Sequence, residues 1–156
     1  MITAQFGMTT AGLMFVPAEK RTQLEAVFGL NLANVKVRMN VDYPSTPSHL
    51  DDLERELKRF LALFILEEGN HFFTERADDL WHYFILHTRE YREFCKMAYG
   101  RFLNHNPLMP GEAPKHLDAY NRTKKLYAKY FGEPPEELWG GNNVCCDGCS
   151  GEISPE

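Results

Sequence analysis

The feature that most constrains this chain is the run from Pro47 to Asn70, where Leu50, Leu53, Leu57, Phe60, Leu61 and Phe64 recur three or four residues apart. That spacing gathers them into one stripe of a helix turning about 100° per residue. Ser48, with Asp51 three residues on, supplies an N-cap, and Gly69-Asn70 can take the left-handed conformation that closes a helix. The spacing predicts a helix over 48–68, and an apolar stripe of that length has to be covered by other elements.

Two further helices are available to cover it. Thr74 opens one that places Asp78 and Asp79 in its first turn, where the helix dipole favours negative charge, and Gly100 closes it after residue 98. After the Pro107–Pro114 loop, Leu117, Tyr120, Tyr127 and Phe131 share one face of a helix over 115–131, which Gly132 and Pro134-Pro135 terminate. The turn PPEELW is expected to tuck Trp139 against the core. Upstream, Pro17, Leu24, Val27, Phe28 and Gly29 outline a short helix. Residues 35–43 then alternate Val35, Val37, Met39, Val41 and Tyr43 with polar neighbours, the period of a half-buried strand, for which Leu13–Val16 is the local partner. The fold expected is mainly α, a single-domain antiparallel helical bundle with a small N-terminal β element. Residues 1–46 hold that element and the first helix, 47–139 the helical core, and 140–156 an irregular Gly/Cys-rich tail.

With 156 residues, 44% of them hydrophobic and 25% charged, the chain suits one packed domain. A formal net charge of -5 disfavours nucleic acid as a partner, because a phosphate backbone would be repelled. Arg122, Lys124, Lys125 and Lys129 are the local exception and read as a solvated helix face. No positive segment precedes an apolar N-terminal stretch and no run of about eighteen apolar residues occurs, so neither a secretory signal nor a membrane span is expected. A cytoplasmic location follows. Clustered cysteines agree with it, since they lack the spread of a secreted disulfide framework.

The segment Asp79-Leu-Trp81-His82-Tyr-Phe-Ile-Leu86-His87-Thr88-Arg-Glu-Tyr91-Arg-Glu-Phe94-Cys95 resembles the signature of the glycine-rich domain-containing protein-like family. Residues FLALFIL before it, Gly100-Arg101-Phe102 and His105 after it, and the Thr123/Tyr127/Phe131-Gly132 helix with Pro134-Pro135 and Trp139 are similar to the stand-alone bacterial branch. The resemblance implies a helical module and carries no catalytic assignment. Where many members have a second histidine two positions after the Trp-His pair, this chain has Phe84.

Candidate chemistry centres on histidines, carboxylates and thiols. Trp81, Ile85, Thr88, Tyr91 and Cys95 fall on one core stripe, with Cys95 a buried hydrophobe rather than a nucleophile. His82 and His87 point about 140° apart on one helix and do not chelate a shared ion as an i, i+4 pair does. Across an antiparallel hairpin, however, Glu68 and His71 come near Asp79 and His82. Each pair is an acid-x-x-His on one face, and two carboxylates with two imidazoles suit zinc or part of an iron pair. Capping alone explains charges at those helix ends equally well. In the tail, Cys146-x-x-Cys149 with Cys145 has zinc or redox spacing, with His105, His116 or Cys95 to supply a fourth ligand. No dinucleotide, phosphate-loop or nucleophile-elbow motif occurs.

The 13% aromatic content without a catalytic template points to a non-catalytic module that binds another protein or peptide. Its groove is expected between the Trp81 helix and the 115–131 helix, with Trp81, His82, His87, Tyr91 and His105 as binding residues and no cofactor. The alternative is a metal-binding protein or metalloenzyme, taking zinc through His71, Asp79 and His82 or through Cys145, Cys146 and Cys149.

Overall fold

The computed structural model describes residues 5–140 and 149–155. The chain is mainly α: α1 (Thr10–Met14), α2 (Arg21–Phe28), α3 (Ala33–Asp42), α4 (Pro47–Leu66), α5 (Glu75–Leu86), α6 (Thr88–Tyr99), α7 (Leu117–Phe131) and α8 (Glu136–Trp139). Short 3-10 turns at Gln5–Gly7, Ala18–Lys20 and Ala113–His116 join them, and three short strands, β1 (His71–Phe72), β2 (Leu103–Pro107) and β3 (Cys149–Ile153), complete the fold.

Helix α4 is the axle. Its cap is Thr46, whose hydroxyl accepts from the His49 amide at 3.2 Å, with Pro47 at the first helical position and Ser48 one residue inside. Over its last two turns the stripe widens until Phe60 through Leu66 are all buried, so a helix amphipathic at its start ends enclosed by α2, α5 and α7. One charge is enclosed with them. Glu56 accepts from Tyr127 Oη at 2.8 Å and Trp139 Nε1 at 2.9 Å through one oxygen, and from Arg55 Nε at 3.0 Å through the other. It thereby ties α7 and α8 to α4, and Trp139 is buried as its turn requires. On the opposite end, α1 lies so close to α7 that a Cβ on Gly12 would stand 2.2 Å from the Tyr130 carbonyl oxygen.

Three expectations are corrected. Residues 35–43 are not a strand but belong mostly to α3, because their alternation is two i, i+4 stripes on opposite sides of a helix. Val35 and Met39 are buried at 4% exposure each, whereas Val37 and Val41 are 67% and 68% exposed. The helix expected over 76–98 breaks at His87, whose Nδ1 lies 2.8 Å from the Tyr83 carbonyl oxygen while its amide donates to Phe84 instead. The bend lets Tyr91 fold back against Phe84, ring centroids 5.0 Å apart. The tail beyond 140 is not irregular throughout. Residues 149–153 form β3, which lies between β1 and β2 and is antiparallel to both, with His71 and His105 each opposite Gly151.

Candidate metal centre

Helix α5 carries Trp81 inward, fully buried, with ring centroids 5.4 Å from Phe60 and 6.3 Å from Phe73. With Trp81 fixed, helical phase sets Asp78 and His82 on the flank facing β2. Asp78 is 2% exposed. His105, on β2, reaches this flank because the strand pairing with β3 aims it along the edge of Trp81, with ring centroids 4.5 Å apart.

The three side chains converge. His105 Nε2 lies 3.1 Å from Asp78 Oδ1, and His82 Nε2 lies 3.0 Å from Asp78 Oδ2. The imidazoles meet edge to face at 4.5 Å between centroids, and one ligating atom from each of the three residues falls within 4.8 Å of the others. On its far side His82 presents Nδ1 to Asp79 Oδ1 at 3.7 Å. Hydrogen bonding to Asp78, then the neighbouring Asp79 carboxylate, raises the His82 pKa to about 9 against the partial burial that opposes it. A cation bound at that nitrogen would have to displace a proton from it.

Such an arrangement suits a borderline divalent ion. Two imidazole nitrogens and a carboxylate oxygen are the donors that zinc and ferrous iron take, and tetrahedral zinc with bonds of ~2.0–2.1 Å needs ligand atoms about 3.3 Å apart. Asp79 stands where an outer carboxylate orients a ligating histidine. The half-exposed His82 leaves one side of the centre toward solvent.

Other candidates are placed elsewhere. His71 does not join His82: it is buried on β1, with Nε2 3.0 Å from the Glu67 carbonyl oxygen and its ring 4.8 Å from that of Phe64, and burial lowers its pKa. Helix α4 ends at Leu66, so Glu68 and His71 leave the helical register on which the hairpin reading relied. Asp79 is an outer neighbour rather than a converging ligand. His87 caps the bend between α5 and α6. Trp81 and Tyr91, like Tyr120 and Tyr127, are buried in the core. Tyr91 Oη accepts from Trp81 Nε1 at 3.3 Å and donates to the Leu103 carbonyl at 2.7 Å. Exposed apolar side chains among the described residues include Met14, Val37, Val41, Leu86 and Met97, spread over separate elements. Cys95 is buried, and burial raises its pKa. Cys145 and Cys146 lie outside the described residues, and of Cys149 only the backbone is described.

Asp78 is the residue that sequence reading passed over, noted only for its place in the helix dipole. Its signal was present, since Asp78-x-x-x-His82 has the i, i+4 spacing that brings two side chains together on a helix. A cleft of about 490 Å³ lined by Lys20, Phe64, Glu68, Tyr99 and Arg101 among others is formed elsewhere and includes none of the three converging residues. No helix among the described residues is long and apolar enough to cross a membrane.

The family model described as UCP032817-like matches residues 26–125, well over half of the chain, and the chain belongs to that family. This overturns the resemblance to the glycine-rich domain-containing protein-like family. The segment that carried it, Asp79–Cys95, falls wholly inside the matched span, and its aromatics serve to pack α5 on α4 and to fold α6 back on α5. Asp78, His82 and His105 also lie within the span, whereas the tail cysteines do not. No curated protein and no solved structure matches the chain.

Proposed function

We propose that this member of the UCP032817-like family is a zinc-binding protein whose centre is Asp78, His82 and His105, acting in the cytosol. The observation that carries the reading is the convergence of Nε2 from two histidines on both oxygens of one buried carboxylate, at 3.0 and 3.1 Å. Buried carboxylates are costly unless paired, and a divalent cation replaces the imidazolium proton as the neutralising charge with a stronger and more directional bond. The ion would join α5 to β2, two elements that sequence order separates by the whole of α6. Water or another donor would occupy the solvent side. Zinc is favoured over calcium or magnesium because two of the three donors are nitrogen.

The test is elemental analysis of protein purified without a histidine tag, alongside His82→Ala and His105→Ala. Close to one zinc per chain in the wild type, lost in both variants, is the expected result. Metal retained by both variants, or a wild type that takes up no zinc from micromolar solution after chelator stripping, would refute it.

A further inference from the structure

We infer that ion binding at Asp78, His82 and His105 and docking of the C-terminal strand are one coupled event, the ion latching β3 between β1 and β2. This rests on the zinc reading above.

The coupling follows from how the sheet is assembled. Among the described residues its middle strand comes last in sequence, and β1 and β2 each pair with it and not with one another. With two and five residues, neither flanking strand makes a stable ribbon alone. The contact that aligns β3 is at Gly151, which faces His105 on one side and His71 on the other. A Cβ there would stand 2.6 Å from Phe64 Cζ and 3.0 Å from Trp81 Cη2, so the strand seats only with its backbone against those two rings. Trp81 in turn abuts His105. Strand β2 is held to β3 beyond this point by the Ser154 amide donating to the Phe102 carbonyl at 2.9 Å and by Asn104 Nδ2 donating to Ser154 Oγ at 3.0 Å.

His105 therefore has two masters. The strand pairing positions its backbone, and the α5 ligands position its ring. An ion bonded to His105, His82 and Asp78 holds β2 against α5 at the height of Gly151, which keeps open the slot that β3 fills. By thermodynamic reciprocity, whatever factor zinc adds to strand docking, strand docking adds to zinc affinity.

The experiment measures both sides of that equality on the full chain. Hydrogen exchange of the amides of residues 150–153 is recorded in chelator-stripped protein with and without zinc, for the wild type and for His82→Ala, which removes a ligand carried by α5 and not by the sheet. Zinc affinity is measured by competition with a chromophoric chelator for the wild type and for Gly151→Ala, which removes no ligand. Zinc should slow exchange in the wild type by about tenfold or more and leave His82→Ala unchanged, and Gly151→Ala should bind zinc about tenfold more weakly. Zinc that binds the wild type tightly yet leaves exchange at 150–153 unaltered overturns the latch and spares the zinc reading; no zinc binding at all removes both. Exchange in the wild type needs no variant, so a Gly151→Ala protein that fails to fold does not shelter the inference.

Discussion

Glu56→Ala is the substitution whose cost the structure sets most sharply. The carboxylate is fully buried, and one of its oxygens takes the Tyr127 hydroxyl at 2.8 Å and the Trp139 indole N–H at 2.9 Å. Truncation leaves that indole and hydroxyl facing a void, and each buried donor without a partner costs about 1–3 kcal/mol. Arg55 loses less, because it keeps Asp52 at 2.7 Å on the surface, and Arg59 keeps Tyr127 Oη at 2.7 Å. The expected loss is about 3–5 kcal/mol, the range for removing one partner of a buried ionic group. Glu56→Gln should cost less, about 1–2 kcal/mol, since its carbonyl still accepts from Tyr127 and Trp139 while its amide faces the Arg55 donor. Urea unfolding followed by tryptophan fluorescence reports both, as Trp81 and Trp139 are buried. Because Tyr127 and Trp139 share one oxygen, Tyr127→Phe combined with Glu56→Ala should cost clearly less than the two separate losses together. A loss below about 1 kcal/mol for Glu56→Ala would refute this account of how α7 and α8 are held.

Other perturbations have equally definite outcomes. Trp81→Ala, at a fully buried site, should lower stability by about 3–5 kcal/mol through the cavity it leaves, read from the same urea curves. Deleting residues 149–156 removes the central strand and uncovers Leu103 opposite Ile153, so the melting midpoint by calorimetry should fall by at least about 5 °C. Burial holds the His71 pKa below 6.5, so the unfolded chain binds the extra proton first and stability should drop as pH falls below about 6.5; His71→Gln should flatten that part of the stability profile. In chelator-stripped protein the His82 pKa is raised from 6.5 to about 9, so its contribution is complete below about 6.5 and lost as pH rises through about 9, which a proton NMR titration of the His82 ring would follow directly.

The central helix and α7 were legible in the sequence through their apolar spacing and the turn at Trp139 through Pro134-Pro135, although α4 is capped by Thr46 instead of Ser48 and ends at Leu66 instead of Glu68. Helix α3 was misread because two stripes on opposite faces, Val35/Met39 and Val37/Val41, together mimic the period of a strand. The bend at His87 carries no proline or glycine and is made by an imidazole competing for the Tyr83 carbonyl. The sheet left still less trace, since two and five residues give no periodicity and its middle strand comes from a tail rich in Gly and Cys. At the candidate site His82 and His105 were both singled out, but not as partners. Only the pairing of β2 with β3 brings His105 to α5, and that pairing is a long-range contact with no local signature. Asp78 was passed over in favour of its neighbour Asp79, one helical position that moves a carboxylate about 100° around the axis.

X-ray absorption at the zinc edge, on tag-free protein reconstituted with one equivalent of zinc, tests the ligand set itself. A first shell of nitrogen and oxygen at ~2.0–2.1 Å with the outer-shell scattering of two imidazoles is expected, both lost in Asp78→Asn or His105→Ala. A shell made only of sulfur at ~2.3 Å, or a spectrum without imidazole scattering, would put the ion elsewhere and contradict that ligand set.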